Sequence, residues 1–244
     1  VMLDRGYLIQ GSDIKINENI RRLRKKGAKI FLKHAENNIK NISTAVFSSA
    51  IDELNPEIIQ CKKLSIPLVR RADMLAELMR GKKAIAVAGS HGKTTTTSLV
   101  GSILDYASLD PTIINGGIIN AYSKNNRLGS GKWVVAEADE SDGSFIRLPH
   151  EINIITNIDI EHMEHYKKEK NLIKAFETFI TSIPFYGYSI ICYENESLKK
   201  ISKKIKNRKF IKYSSASKSA DVYITNVKTV NLKTNFTIFI KKNV

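Results

Sequence analysis

The chain has 244 residues, 42% hydrophobic and 26% charged, a balance typical of a globular protein with one large core or two modest ones. No apolar run is long enough to span a bilayer, so we expect no membrane insertion. The net charge of +15 is spread along the chain without a zinc-finger or RNA-binding motif, which argues against a nucleic-acid partner. Cys61 and Cys192 are predicted to be buried, reduced thiols of a cytosolic protein.

Short strands and helices alternate over the first 80 residues. The chain opens in a helix remnant at 1–6, which suggests a start within a domain. An apolar run follows at 7–10. Strands are predicted at 29–32, 44–48 and 66–69, and helices at 17–27, from Asn55-Pro56 onward and at 73–80. This alternation is typical of parallel βαβ units.

Residues 81–244 continue the α/β pattern. A buried strand at 84–88 leads through a glycine loop into a helix at 93–106. Further strands are predicted at 133–136, 152–156 and 189–193, with a helix at 172–182. Residues 221–240 alternate apolar and polar side chains, which predicts antiparallel β structure near the C-terminus. The predicted fold class is therefore α/β with a mostly parallel sheet and a small antiparallel portion.

The stretch AGSHGKTTTT, residues 88–97, has the context of a phosphate-binding loop. The ordinary G-x-x-x-x-G-K-[ST] spacing requires glycine at position 87, where Val87 stands. Strand, glycine loop and helix nevertheless follow each other as a phosphate cradle requires, because backbone N–H groups and a helix N-terminus favour anions. Lys93 is predicted to reach the β- and γ-phosphates, and the Thr94 hydroxyl to ligate Mg²⁺.

Two later segments supply candidate metal ligands. The strand at 133–136 runs directly into Glu137. Asp139, Glu140 and Asp142 are expected in a solvated loop, although one of them could support the metal ligands from behind. His162 follows the strand at 152–156, and neutral imidazole can ligate a divalent ion. Because the carboxyl ends of parallel strands share one edge of a sheet, these side chains are predicted to form one Mg-ATP site with Thr94.

Three motifs in this order, AGSHGKTTTT, AEADESDGSF and TNIDIEHMEHY, resemble those of the Mur ligases of peptidoglycan synthesis. That family uses the shorter glycine loop, so the resemblance accounts for Val87. The segments LDRGYLIQGSD (3–13), VFSSAIDELNPE (46–57) and IPLVRRADMLAELMR (66–80) are similar to the family's UDP-substrate domain.

The resemblance covers residues 3–244 and implies two domains. Residues 1–80 would be a Rossmann-like UDP-substrate domain without its first strand and glycine-rich loop, and 81–244 a C-terminally truncated ATP-binding domain. The family's third domain would lie beyond Val244, so we expect a fragment that is inactive alone.

The implied activity is ATP-dependent carbon–nitrogen ligation, joining L-alanine to the lactyl carboxylate of UDP-N-acetylmuramate through an acyl phosphate. ATP and Mg²⁺ are the implied cofactors. The implied catalytic residues are Lys93, Glu137 and His162. Thr94 and Glu137 are implied to hold one Mg²⁺ ion, and His162 a second one. The triphosphate would be wrapped by Gly89, Ser90, His91, Gly92, Lys93, Thr94 and Thr95. Substrate contacts are implied for Ser12, Asp13, Ser48 and Ser49 at the uridine, and for Asn115, Gly116 and Gly117 at the muramyl part.

Other functions stay open on sequence alone. A murein-peptide recycling ligase uses the same sugar nucleotide, although the continuation GSFIR (143–147) looks more like the alanine-adding members. A folate polyglutamylating ligase would not need the N-terminal domain. A non-catalytic P-loop ATP-binding module would suit the positive charge but leaves Glu137 and His162 unexplained. Glu161 also departs from the family, which commonly has Asp before the metal-site histidine.

Overall fold

The computed structural model describes residues 1–119 and 124–241. The chain divides into two compact units, Val1–Leu78 and Met79–Val244. The two predicted cysteine thiols are free, as expected, but only Cys61 is buried and Cys192 is half-buried. No helix in the described ranges combines the length and the apolar character that crossing a bilayer requires.

The first unit contains two parallel strand pairs, each connected through a helix. Its elements are β1 (Gln10–Ser12), α1 (Glu18–Lys25), β2 (Lys29–Phe31), β3 (Ala45–Phe47), α2 (Pro56–Lys63), β4 (Leu68–Arg70) and α3 (Arg71–Met79). β1 pairs with β2, and β3 pairs with β4, both in parallel. The Asn17 and Asn55 side chains accept hydrogen bonds from backbone N–H groups at the starts of α1 and α2, which fixes where these helices begin.

The apolar run at 7–10 is mostly outside the first strand. Strand β1 begins at Gln10, whereas Tyr7 and Leu8 lie before it and are exposed. The apolar residues at these positions fit the sequence pattern of a buried strand. A side chain is buried, however, only where a neighbouring element covers it.

The second unit is built on a nine-stranded sheet. Its elements are β5 (Lys83–Ala88), α4 (Lys93–Tyr106), β6 (Thr112–Ile119), β7 (Lys124–Arg127), β8 (Trp133–Glu137), β9 (Ile152–Ile155), α5 (Met163–Tyr166), α6 (Glu169–Thr181), β10 (Tyr188–Cys192), α7 (Glu196–Lys204), β11 (Lys209–Ser214), β12 (Val222–Val230) and β13 (Lys233–Ile240). The strand order is β13-β12-β11-β10-β9-β5-β8-β6-β7. Only the β6–β7 and β12–β13 pairs are antiparallel, so the predicted mostly parallel sheet is confirmed.

The core lies around the central strands. β5 is buried from Ala84 to Ala88 and β8 from Val134 to Ala136, as their continuous apolar runs indicate. Helix α4 packs closely on the sheet at Gly101, where an added Cβ would lie 2.5 Å from Ile113 Cδ1. Phe145, Phe176 and Phe179 form an aromatic cluster with ring centroids 4.9–5.1 Å apart. This packing makes the centre of the sheet a rigid support for the loops that follow its strands.

Candidate active site

Four adjacent parallel strands bring the predicted site segments to one edge of the sheet. β5 pairs with β9 on one side and β8 on the other, and β6 pairs with β8. The glycine loop, Glu137 and the segment that begins at Thr156 therefore leave the sheet at its carboxyl edge, where α/β proteins bind ligands.

The glycine loop needs glycine at two positions for different reasons. Gly89 has φ +128°, and an added Cβ would lie 2.2 Å from Thr156 Oγ1 and 2.9 Å from the carbonyl oxygen of Asn157. Gly92 has φ +81° and is the residue before α4, so the loop turns there through a left-handed conformation. Thr95 lies exposed in the first turn of α4. Glycine at positions 89 and 92 lets the backbone turn and pass close to other atoms, as a phosphate-binding loop requires.

The segment after β9 braces the glycine loop. Thr156 Oγ1 donates to the His91 carbonyl oxygen at 2.6 Å. The Asn157 amide closes a pair of bonds with His91, accepting from its backbone N–H at 2.8 Å and donating to its carbonyl oxygen at 3.1 Å. Asp159 donates its backbone N–H to Ser90 Oγ at 2.9 Å. Sequence analysis predicted that these two loops share one edge of the sheet but missed the hydrogen bonds between them, because spacing along the chain does not show which groups will meet.

Lys93 lies at the start of α4 with all three of its N–H donors engaged. Its Nζ donates to the carbonyl oxygens of Gly89 at 2.7 Å and Ser90 at 3.2 Å, and to Glu140 Oε1 at 2.9 Å. The predicted solvated position of Glu140 is wrong, because only 1% of that residue is exposed. Burial raises the pKa of Glu140, and the hydrogen bond and charge of Lys93 oppose that rise.

Thr94 and Glu137 contact each other directly. The Thr94 hydroxyl donates to Glu137 Oε2 at 2.9 Å, and the Gly116 backbone N–H donates to the same oxygen at 2.9 Å. A Cβ at Gly116 would lie 3.0 Å from Glu137 Oε1, so a side chain there would press on the carboxylate. Hydroxyl and carboxylate oxygens are ligands that Mg²⁺ prefers. The pair therefore fits the magnesium ion expected beside a triphosphate.

Asn115 and Gly117 lie in β6. The buried Asn115 amide donates to the Thr94 carbonyl oxygen at 3.0 Å and to Ser98 Oγ at 2.8 Å. In this structure the Asn115 side chain therefore faces helix α4 and supports the residues that hold Thr94.

His162 forms a second ligand cluster with two carboxylates. It has φ +57°, an uncommon conformation for a non-glycine residue, and directly precedes α5. Glu140, Glu161 and His162 each offer one ligand atom, and these atoms lie within 4.8 Å of one another. Glu140 Oε1 is 3.8 Å from His162 Nε2, so Glu140 links this cluster to Lys93. The cluster could hold a divalent cation.

The first unit contains a polar cluster around Ser12. The Ser12 hydroxyl donates to Glu57 Oε2 at 2.5 Å, and His34 Nδ1 lies 2.9 Å from Ser12 Oγ. Burial acts to raise the pKa of Glu57, but hydrogen bonds from Ser12, Asn38 and His34 outweigh it and hold the pKa below its ordinary value. Sequence analysis singled out Ser12 but missed its partners, which follow other strands of the unit.

The remaining predicted uridine-side residues make local hydrogen bonds or lie at the surface. Asp13 Oδ1 accepts from the Lys15 backbone N–H at 3.1 Å, and Ser48 Oγ accepts from the Ala50 backbone N–H at 3.3 Å. Ser49 is exposed. These are ordinary side-chain contacts of turns.

The fold, the short glycine loop and the acid and histidine segments at one sheet edge define an α/β protein of the Mur ligase type. Residues 1–83 match the Mur ligase family, catalytic domain, and residues 87–244 match the Mur ligase middle domain. The chain belongs to the Mur ligase family.

Curated relatives show which members of the family the chain is similar to. It is 46% identical over 241 residues to the UDP-N-acetylmuramate–L-alanine ligase of Methylocella silvestris, covering 99% of this chain and 51% of that protein. It is 51% identical over 229 residues to the ligase of the same name from Rickettsia rickettsii (strain Sheila Smith), covering 94% of this chain and 47% of that protein. The chain therefore spans about half the length of these relatives.

Solved structures show the same fold. The UDP-N-acetylmuramate-alanine ligase MurC of Thermotoga maritima superimposes with a TM-score of 0.87 at 24% identity, covering 99% of this chain and 54% of that one. The UDP-N-acetylmuramate:L-alanyl-γ-D-glutamyl-meso-diaminopimelate ligase from Neisseria meningitides gives a TM-score of 0.85 at 18% identity, covering 98% and 78%. At these identities the likeness concerns the fold alone.

Proposed function

We propose that the full-length protein joins L-alanine to the lactyl carboxylate of UDP-N-acetylmuramate at the expense of ATP, a step in making peptidoglycan precursors in the cytosol. The observation that carries this proposal is the meeting of Lys93, Thr94 and Glu137 at the carboxyl edge of the sheet, with Thr94 Oγ1 2.9 Å from Glu137 Oε2. The names of relatives at 46% and 51% identity support the same substrates.

The division of labour follows the two parts of the chain. We assign residues 81–244 to ATP and Mg²⁺, with residues 89–95 around the triphosphate. We assign residues 1–80 to the UDP-sugar, with Ser12, Asp13, Ser48 and Ser49 on the uridine side. Asn115, Gly116 and Gly117 are assigned to the muramyl part. The polar cluster of Ser12, His34 and Glu57 supports a polar ligand in the first domain, because it is assembled from separate loops.

The chemistry has two steps. A carboxylate oxygen of the sugar nucleotide attacks the γ-phosphorus of ATP, the bond to the β-phosphate oxygen breaks, and an acyl phosphate and ADP result. The amine of L-alanine then attacks the acyl carbon, inorganic phosphate leaves, and the amine loses a proton. Phosphorylation is needed because an unmodified carboxylate has no acceptable leaving group.

This chain's residues would serve the first step by position and charge. Two anions must approach each other, so the ammonium of Lys93 and the backbone N–H groups of the glycine loop offset negative charge on the triphosphate. Thr94 and Glu137 would hold one Mg²⁺ ion and His162 a second, and these ions would supply further charge neutralisation when bound. The brace from Thr156 and Asn157 would keep the loop in the conformation that receives the phosphates.

Two rival functions are less well supported. A murein-peptide recycling ligase has the same fold, but the relatives at 46–51% identity carry the alanine-ligase name. A non-catalytic P-loop module would need neither the contact between Thr94 and Glu137 nor the N-terminal domain that residues 1–83 match.

The test is a ligation assay with purified full-length protein, Mg²⁺, ATP and UDP-N-acetylmuramate. We expect ADP release that depends on L-alanine and a product of the mass of the alanyl adduct. L-Alanyl-γ-D-glutamyl-meso-diaminopimelate in place of L-alanine gives no product under this proposal, and product formation with that peptide alone would favour the recycling ligase. Binding of UDP-N-acetylmuramate should be competed by UDP and not by single-stranded DNA. A protein that hydrolyses or binds ATP but never binds the sugar nucleotide would refute the ligase assignment.

A further inference from the structure

The ammonium of Lys93 is saturated by the protein itself. An ammonium has three N–H donors, and here they face the carbonyl oxygens of Gly89 and Ser90 and the Oε1 of Glu140. A phosphate oxygen can therefore reach Lys93 only by displacing one of these three acceptors. The glycine-loop carbonyls are neutral, whereas Glu140 carries a charge that competes with phosphate for the same ammonium.

The surroundings keep Glu140 in place. Its side chain is 1% exposed, and that of Lys93 is 14% exposed, so water screens this ion pair poorly. The Tyr166 hydroxyl donates to the backbone carbonyl oxygen of Glu140 at 2.5 Å, which anchors the peptide that carries the carboxylate. The second carboxylate oxygen, Oε2, is buried and has no hydrogen-bond partner among the described residues. Glu140 is thus a buried anion, and Lys93 is the more exposed member of the pair.

We propose that Glu140 is a positioning residue that holds and neutralises Lys93 in the nucleotide-free site and yields it to the triphosphate. The inference rests on the proposed ATP-dependent function. In this arrangement Glu140 lowers the affinity for nucleotide, because its charge competes with the phosphates, and it takes Lys93 back when ADP leaves. Glu140 therefore favours release of ADP and weakens binding of the nucleotide.

Two variants separate this role from a structural one. Glu140→Gln keeps the size of the side chain and an acceptor oxygen but removes the charge. Tyr166→Phe is the matched control, since it removes a hydrogen bond to the Glu140 backbone carbonyl oxygen and leaves both partners of the Lys93 contact in place. In calorimetric titrations of full-length protein with ADP and Mg²⁺, we expect Glu140→Gln to bind ADP roughly tenfold more tightly, which is the difference between a charge-assisted and a neutral hydrogen bond. Stopped-flow measurement should show correspondingly slower ADP release.

A damaged site would not bind nucleotide more tightly, so the sign of the change is diagnostic. Glu140→Asp, which retains the charge, should return the ADP affinity toward that of the wild-type protein. Unchanged or weaker ADP binding by a folded Glu140→Gln protein would overturn the inference, as would equal tightening in Tyr166→Phe. If wild-type protein binds no adenine nucleotide at all, the proposed function fails instead.

A second measurement uses the wild-type protein and does not depend on the variant folding. Crystal structures of full-length protein with and without a non-hydrolysable ATP analogue should differ in the distance between Lys93 Nζ and Glu140 Oε1. We expect 2.9 Å without nucleotide, as here, and a broken contact with it. If Lys93 Nζ still contacts Glu140 Oε1 in the nucleotide complex, Glu140 does not yield Lys93 to the triphosphate and the inference is refuted.

Discussion

Replacing Gly89 by alanine tests whether the glycine loop is held by close contact with the segment after β9. At φ +128° an L-residue carries backbone strain of about 1–3 kcal/mol. The new Cβ would also lie 2.2 Å from Thr156 Oγ1 and 2.9 Å from the Asn157 carbonyl oxygen, and the second of these is backbone that cannot rotate away. Relief of the clash breaks one or two loop hydrogen bonds of about 1 kcal/mol each. The expected loss in free energy of unfolding is therefore about 2–5 kcal/mol.

Gly81→Ala is the matched control within the same unit. Gly81 also has positive φ, +74°, but no described atom lies within 4 Å of a Cβ added there. The control should lose about 1 kcal/mol, or about 2–4 °C in Tm, against a loss on the order of 10 °C for Gly89→Ala. Differential scanning calorimetry measures both, and titration with ADP should show lost affinity only for Gly89→Ala. Equal stabilities of the two variants, with nucleotide binding intact, would refute the close-contact reasoning.

Three further predictions concern the site and the core. Lys93→Ala should abolish acyl-phosphate formation while leaving UDP-sugar binding nearly intact, and an active variant would exclude the role given to Lys93. Asn157→Ala removes both hydrogen bonds to His91, so ADP affinity measured by calorimetry should fall about tenfold; unchanged affinity would mean that the brace is unnecessary. Burial lowers the pKa of His150 below its ordinary value of 6.5. The unfolded chain therefore binds a proton more readily, and stability contributed by neutral His150 should be lost as pH falls below about 6.5. Urea unfolding between pH 8 and pH 5, compared with His150→Gln, checks this, and identical pH profiles would contradict it.

Local signals predicted the strand and the helix on either side of the glycine loop well. The helix predicted at 93–106 is observed as Lys93–Tyr106. Its start could be predicted because Gly92 turns the chain immediately before it and an apolar strand precedes the glycine loop. The predicted antiparallel structure at 221–240 is confirmed as the β12–β13 hairpin. In contrast, α7 and β11 were missed. For α7, Asn195 as an N-cap and the buried Leu198 and Ile201 one turn apart were the available signals.

The environment of Glu140 could not be read from the chain. In the run Asp139-Glu140-Ser141-Asp142 all three acids look alike, and an acid-rich turn is usually solvated. Only the folded protein shows that Glu140 faces inward to Lys93, 47 positions earlier, while Tyr166 approaches from the other direction. Burial of one acid among several depends on tertiary packing, for which spacing carries no signal.

The central position of β5 has a consequence for how this protein is made. β5 pairs in register with β8, as in Ile85 with Val135, and with β9, as in Ile85 with Ile152, so both of its ladders join segments 50 or more residues apart. Such long-range closures are slow because the intervening chain loses entropy before any pairing is gained. A nascent chain would therefore acquire affinity for ADP only after both flanking strands have been synthesised and docked. Retention on an ADP resin would then distinguish completed molecules from collapsed intermediates.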